Sequence, residues 1–123
     1  ATESGDKATL TLALDYGGRW DIAEVTRWIA RDVAEGTLKP EDVDEDVISQ
    51  RLATADLPDP DLCIRTAGET RISNFLLWQF AYAEFWFTEV LWPDFDDTVL
   101  DLALADYAVR ERRFGVRPLL RQY

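Results

Sequence analysis

The feature that most constrains the fold is a polar loop set between two apolar segments. Residues 65–74 hold two arginines, a glycine and a serine. The loop follows a short apolar strand candidate at residues 62–64. It precedes the apolar run of residues 75–82, which predicts a buried helix. A strand, a polar loop and a helix in this order are typical of a sheet that carries a ligand site at its strand ends. We therefore expect the rest of the chain to be arranged around this loop.

Strand and helix patterns alternate along the chain. Residues 8–16 alternate leucines with small or polar residues and predict a strand, as do the aromatic residues 85–87. Residues 20–35 and 39–52 carry apolar side chains at helical spacing, and Gly36 is placed to close the first helix. A third helix is expected from an aspartate N-cap near residues 94–97 to about residue 113, stopping at Gly115. This alternation predicts an α/β fold with parallel strands, although only two or three strands are visible.

The composition excludes several kinds of site. The chain has no histidine, which excludes catalytic triads, imidazole bases and His-ligated zinc. Any metal would therefore be a hard ion held by carboxylates. The single cysteine excludes an internal disulfide, and the net charge of −11 argues against nucleic acid as a partner. We expect residues 1–7 to be a flexible end, residues 8–115 to form one folded unit and residues 116–123 to be a peripheral tail.

The polar loop is a candidate anion site. Ligands of open α/β sheets bind beyond the carboxyl ends of the strands. Arg65 and Arg71 offer planar forks that pair with phosphate oxygens. Ser73 is placed to cap a helix near residue 75, whose N-terminal N–H groups would attract an anion. The residues alone also allow a second interpretation, in which the arginines form surface ion pairs and Ser73 is only a cap.

A long motif in this region resembles a known family. Residues 61–95 read DLCIRTAGETRISNFLLWQFAYAEFWFTEVLWPDF and resemble the signature region of the cis-prenyltransferases, most of all the bacterial undecaprenyl diphosphate synthases. Residues 16–22, YGGRWDI, and 110–115, RERRFG, match at the expected places. The similarity covers roughly residues 8–115. It implies the C-terminal half of the family's parallel-sheet fold with flanking helices.

The resemblance also implies a chemistry. These enzymes are Mg²⁺-dependent homodimers that condense isopentenyl diphosphate onto an allylic diphosphate, here to make an undecaprenyl-type carrier lipid precursor. Such an enzyme is cytoplasmic and contacts the membrane peripherally through its product. By resemblance, Arg65, Arg71 and Ser73 bind the isopentenyl diphosphate and Glu84 helps to hold Mg²⁺. The triplet of residues 113–115 resembles a motif that reaches a diphosphate site in the partner subunit. The residues implied there are Arg113 and Gly115, and supporting positions are Arg19, Asp21, Asp61 and Asp94.

The sequence departs from the family pattern in two places. The usual Gly-Gly of the loop is Ala67-Gly68 here, a mild change if Ala67 keeps a negative φ. Asp15 stands where the family usually has asparagine, which adds a charge near a phosphate site.

The position of Glu84 relative to the loop is a separate question. Eleven residues of straight helix would place it about 16 Å from Ser73. Either that helix ends early, or Glu84 acts at a different edge of the site.

The family's N-terminal half carries an Asp-Gly-Asn-Gly-Arg-type loop that holds the primer diphosphate and the key catalytic aspartate. No such loop occurs in residues 1–123. We therefore expect a C-terminal half with no confident catalytic residue, inactive by itself. One alternative is a non-catalytic or separately encoded subunit of a heteromeric prenyltransferase. Another is a generic acidic interaction module, which leaves the motif unexplained.

Overall fold

The computed structural model describes residues 5–116, and its centre is a small parallel sheet. Two strands, β1 (Leu62–Arg65) and β2 (Glu84–Phe87), pair in register so that Leu62 lies opposite Glu84 and Arg65 opposite Phe87. The predicted α/β class with parallel strands is confirmed. The helices and strands are α1 (Gly18–Ala34), α2 (Glu45–Ser49), β1 (Leu62–Arg65), β2 (Glu84–Phe87) and α3 (Asp97–Ala108), with 3₁₀ turns at Pro40–Asp42, Gln79–Tyr82 and Trp92–Asp94.

Helix α1 follows the sequence prediction closely. It begins two residues earlier than expected and ends at Ala34. Gly36 adopts a φ of 76° and donates its N–H to the carbonyl of Val33 at 3.1 Å, as a C′ glycine does. The apolar stripe buries Val25, while the carboxylate of Asp21 is also buried on the same side of the helix. Helical periodicity therefore predicted this element correctly.

The prediction of one helix over residues 39–52 is wrong. The chain instead forms a 3₁₀ turn and then the short helix α2, with Val43 extended between them. The side chain of Asp44 accepts a hydrogen bond from the N–H of Val47 at 2.9 Å and starts a new helix. Such a side chain offers the backbone a cap in competition with a continuous helix.

The strand predicted over residues 8–16 is also absent. Leu10, Leu12 and Leu14 are 84%, 73% and 84% exposed, and their backbone joins no sheet. A strand needs a neighbour to satisfy its backbone N–H and C=O groups. Among residues 5–116 the sheet consists of β1 and β2 alone, and this segment pairs with neither of them.

The helix predicted over residues 75–82 is replaced by turns and the 3₁₀ turn Gln79–Tyr82. Its aromatic side chains pack edge to face, with ring centroids 5.9 Å apart for Phe75 and Phe80 and 5.5 Å apart for Phe80 and Phe85. An all-round apolar sequence has no helical stripe, and these tertiary contacts decide its conformation. The early turn lets the chain enter β2 directly at Glu84.

Helix α3 confirms the aspartate N-cap but ends early. The side chain of Asp96 accepts from the N–H of Val99 at 3.0 Å, and Ala103 is fully buried. The helix ends at Ala108, five residues before the expected end, and Gly115 is not its cap. Arg110 instead donates to the carbonyl of Phe85 at 2.7 Å and draws the following chain onto the sheet. This tertiary contact competes with a further helical turn.

Two of the predictions concern the ends of the chain. The expected flexible end at residues 1–7 and the expected tail at residues 116–123 lie largely outside the described residues. In the part of the chain that the structure describes, no helix is both long enough and apolar enough to cross a membrane.

Candidate functional site

The loop after β1 folds back on the arginine that begins it. Arg65 is the last residue of β1. Its Nε donates to the carbonyl of Arg71 at 3.0 Å, and its Nη2 donates to Oγ of Ser73 at 3.1 Å. Two of the three residues predicted to bind diphosphate are therefore in direct contact at the carboxyl end of the sheet. The guanidinium of Arg65 fixes the shape of the loop as well as supplying a charge.

Arg71 occupies a different environment in the same loop. Its side chain is 78% exposed and makes an ion pair with Glu69 at 3.1 Å. An exposed pair of this kind contributes between zero and about 1 kcal/mol. Breaking the ion pair so that the guanidinium of Arg71 can bind an incoming anion therefore costs at most about 1 kcal/mol.

The helix N-terminus at this site belongs to α1. The N–H of Gly18 donates to the carbonyl of Asn74 at 2.7 Å, and the N–H of Arg19 donates to Oδ1 of Asn74 at 2.9 Å. The prediction that Ser73 caps a helix at residue 75 is wrong, since no α-helix starts there. The positive end of α1 takes the expected place beside the loop. Asn74 makes this junction, and nothing in its local sequence signals a partner 55 residues away.

The loop holds several residues in the left-handed region. Ala67, Gly68, Ser73 and Asn74 have φ values of 59°, 68°, 53° and 59°. The condition for a mild change, a negative φ at Ala67, is therefore not met, and the alanine sits where glycine costs less. Hydrogen bonds hold it there, from Ala67 N–H to the carbonyl of Val90 at 2.8 Å and from Gly68 N–H to the carbonyl of Thr88 at 3.0 Å. Backbone strain concentrated in one loop is typical of a functional site.

The supporting residues have structural roles. Asp21 is 3% exposed and accepts hydrogen bonds from the Tyr16 hydroxyl at 2.8 Å and from the Ala53 N–H at 3.0 Å. Burial, followed by this hydrogen bond to Asp21, raises the pKa of Tyr16. Arg19 contributes its backbone N–H, whereas Asp94 lies exposed in a 3₁₀ turn. Asp21 therefore braces the turn that leads into α1.

Glu84 lies at the other end of the sheet from Arg65. It is paired with Leu62, three residues before Arg65 in the register. At about 3.3 Å per residue, this separation is about 10 Å along the strands. The Oε2 atom of Glu84 accepts from Nη1 of Arg110 at 3.1 Å. The structure thus brings Arg65, Arg71 and Ser73 into one loop and places Glu84 at a different edge.

Glu84 instead shares a cleft with the triplet of residues 113–115. The cleft has a volume of about 400 Å³ and is lined by Tyr82, Glu84, Arg113, Phe114 and Gly115 among others. A cationic side chain and a carboxylate around one opening can hold an anion and a bound cation together. Two further residues contact this edge and were given no role in the sequence analysis, namely Arg110 and Arg112. The arginine-rich run itself was the available signal.

The donor set for a metal is small. Among residues 5–116 no group of three or more His, Cys, Asp or Glu side chains could hold a metal ion. Mg²⁺ is commonly bound by one or two carboxylates together with substrate phosphates and water. A single carboxylate at Glu84 fits that mode and does not fit an all-protein cage.

Comparison with known proteins identifies the family. The family described as "Putative undecaprenyl diphosphate synthase" matches residues 1–115. The ditrans,polycis-undecaprenyl-diphosphate synthase ((2E,6E)-farnesyl-diphosphate specific) of Xylella fastidiosa (strain Temecula1 / ATCC 700964) is 60% identical over 115 residues. That alignment covers 94% of this chain and 45% of the relative, so the chain spans less than half the length of the curated relative.

Solved structures agree with this assignment. The crystal structure of lavandulyl diphosphate synthase from Lavandula x intermedia, in complex with dimethylallyl diphosphate, is similar with a TM-score of 0.83 and 51% identity. It is matched over 85% of this chain and 45% of that one. A probable undecaprenyl diphosphate synthase from Campylobacter jejuni has a TM-score of 0.69 and 35% identity over 85% of this chain and 46% of that one. These matches lead to one conclusion: the chain belongs to the undecaprenyl diphosphate synthase family of cis-prenyltransferases.

Proposed function

We propose that the protein carrying this sequence catalyses cis-prenyl chain elongation, condensing isopentenyl diphosphate onto an allylic diphosphate to give an undecaprenyl-type polyprenyl diphosphate. The observation that carries the proposal is the Arg65–Ser73 contact, made beside an exposed Arg71 and the N-terminus of α1. Two guanidiniums and a hydroxyl in one loop, with the N-terminus of α1 beside it, are the chemistry that recognises a diphosphate.

In this proposal the loop binds the isopentenyl diphosphate. The C1–O bond of the allylic diphosphate breaks and diphosphate leaves. The C4 carbon of isopentenyl diphosphate forms the new bond to that allylic carbon, and a proton is then lost to leave a cis double bond. Arg65 and Arg71 hold the nucleophile in place, and restricting its position is a large part of such catalysis. Arg65 is already fixed by its bonds within the loop, so little reorganisation accompanies binding.

Glu84 is the proposed protein ligand for Mg²⁺. When bound, the ion would neutralise diphosphate charge and so stabilise the leaving group. The role of Glu84 is to present a carboxylate at the cleft, where Arg110 orients its Oε2 atom. The donor set of one carboxylate supports this role only together with phosphate oxygens.

The proposed assembly is a homodimer in which Arg113 and Gly115 serve the partner's diphosphate site. The cleft of these two residues lies at the amino end of the sheet, opposite the loop of Arg65 on the same chain. That separation supports a site to which one subunit contributes the loop of Arg65 and the other contributes Arg113 and Gly115. The proposed location is the cytoplasm, with peripheral membrane contact through the polyprenyl product.

Arg71→Ala in the full-length enzyme tests the proposal. A charge-assisted hydrogen bond contributes about 1.5–3 kcal/mol, so we expect KM for isopentenyl diphosphate to rise by about 10- to 150-fold. The thermal midpoint should stay unchanged, because Arg71 makes only an exposed ion pair. Steady-state kinetics at saturating allylic diphosphate give KM.

Arg27→Ala is the matched control for Arg71→Ala. Arg27 lies on α1 in an exposed ion pair with Glu24. Replacing Arg27 with alanine removes one positive charge, as Arg71→Ala does. We expect this variant to leave KM unchanged. An Arg71→Ala enzyme with wild-type KM for isopentenyl diphosphate would contradict the proposed role of the loop.

A further inference from the structure

The segment of residues 110–115, here called the arginine segment, leaves α3 and crosses the starts of both strands. The side chain of Arg112 contacts residues ahead of both strands. Nη2 of Arg112 donates to the carbonyl of Tyr82 at 2.8 Å, and Nη1 forms an ion pair with Asp61. Asp61 immediately precedes β1, and Tyr82 lies two residues before β2. One guanidinium therefore ties the arginine segment to the entrances of the two strands.

The same guanidinium also stacks on the next aromatic ring. Its Cζ atom lies 4.4 Å from the ring centroid of Phe114, and that ring lies 6.2 Å from the ring of Tyr82. Phe114 and Gly115 have φ values of 45° and 79°, and the N–H of Val116 donates to the carbonyl of Arg113 at 2.8 Å. Arg112 thus holds the tight turn that contains Arg113 from one side.

Arg113 differs from its neighbour. Its side chain is 55% exposed, compared with 20% for Arg112. Its nearest carboxylate among the described residues is the exposed Glu111, at 3.6 Å, which is beyond a normal hydrogen bond. Of these two adjacent arginines, Arg112 makes contacts within the fold, whereas Arg113 lines the cleft beside Glu84.

We propose that Arg112 is a positioning residue that fixes the backbone turn of Arg113, so that the guanidinium of Arg113 meets the isopentenyl diphosphate bound at the site of the partner subunit. This inference rests on the proposed function, because it gives Arg113 a diphosphate ligand. Lysine is a poor replacement for Arg112, because its compact ammonium group lacks the planar fork that reaches a carboxylate and a carbonyl while Cζ lies over the Phe114 ring. The role acts through Arg113 and needs no contact between Arg112 and substrate.

A double-mutant cycle in the full-length enzyme tests the inference. The variants are Arg112→Ala, Arg113→Ala and the double variant, with KM for isopentenyl diphosphate measured at saturating allylic diphosphate. A small misplacement of a binding group can cost up to about 100-fold, and we expect Arg112→Ala to raise KM by about tenfold. In the Arg113→Ala background, Arg112→Ala should change KM by less than about twofold, because its effect passes through Arg113. Arg112→Lys should recover little of the loss.

Each result separates the alternatives. An equal rise in KM from Arg112→Ala in both backgrounds, or no rise in the presence of Arg113, overturns the positioning role. An unchanged KM for Arg113→Ala overturns the diphosphate role of Arg113 itself, and the positioning role with it.

Asp61→Asn covers the case in which Arg112→Ala does not fold. This variant removes the charged partner of Arg112 and leaves an acceptor of the same shape. We expect a rise in KM of about threefold that vanishes in the Arg113→Ala background. A rise that persists there overturns the inference.

Discussion

Gly18→Ala is the change that most directly tests how the polar loop is attached to α1. Gly18 is the first residue of α1, is buried, and donates its N–H to Asn74 at 2.7 Å. A Cβ at this position would lie 2.4 Å from the carbonyl oxygen of Phe75 and 2.7 Å from Cγ of Leu77. Both distances are below those that real Cβ atoms make, and the closer atom belongs to the backbone. The loop would have to move away from the helix.

The size of the effect follows from these contacts. Overpacking by one methyl group typically costs about 1–3 kcal/mol. A backbone oxygen cannot rotate out of the way as a side chain can, which places Gly18→Ala in the upper half of that range. Alanine recovers part of this cost, about 0.5–1 kcal/mol, by restricting the unfolded chain. We expect a net loss of about 2 kcal/mol in the free energy of unfolding.

Urea denaturation of the full-length enzyme measures this loss, and KM for isopentenyl diphosphate reports the displaced loop. Gly36→Ala is the matched control. Its φ of 76° imposes about 1 kcal/mol of strain on alanine, but no atom lies within 4 Å of the new Cβ. It should lower stability without changing KM. A Gly18→Ala enzyme with wild-type stability and wild-type KM would refute the packing of the loop against α1.

Two further predictions concern local stability. The raised pKa of Tyr16 means that the folded state favours the protonated hydroxyl, so its contribution is complete below about pH 10 and is lost as pH rises through the folded pKa. The difference in unfolding free energy between wild type and Tyr16→Phe, measured from pH 8 to 11, should therefore shrink at the alkaline end, and a constant difference would contradict this. Asp96→Ala removes the N-cap of α3 and should lower the free energy of unfolding by about 1 kcal/mol in urea denaturation. Asp97→Ala leaves the hydrogen bond from the Val99 N–H to Asp96 intact and should cost less.

Local patterns predicted the elements that local interactions determine. Helix α1 was predictable because its apolar spacing and its closing Gly36 act within a few residues. The strand around Ile64 was predictable because apolar residues lie between turn signals. The polar loop was located for the same reason, since Arg65 and Ser73 are eight residues apart in the sequence and are in direct contact.

The wrong predictions concern segments whose conformation depends on residues far away in the sequence. Residues 75–82 form no helix because the packing of Phe75, Phe80 and Phe85 sets their conformation, and that packing involves β2. The helix N-terminus at the loop belongs to α1, which approaches Asn74 from far away in the sequence. Glu84 lies at the opposite edge because the preceding 3₁₀ turn ends at Tyr82. The spacing of apolar residues does not predict where such a turn ends. Long-range contacts therefore account for the parts that the sequence left open.

The register of the sheet has a consequence for how this family can change. Arg65 and Glu84 are spaced by the pairing of two four-residue strands, with Leu62 opposite Glu84 and Phe87 opposite Arg65. An insertion or deletion of one residue within either strand would turn every following side chain to the other face. A change of length in the loops between them leaves that pairing intact. We therefore expect natural variation in length to accumulate between the strands and to be absent inside them, however freely individual side chains are replaced.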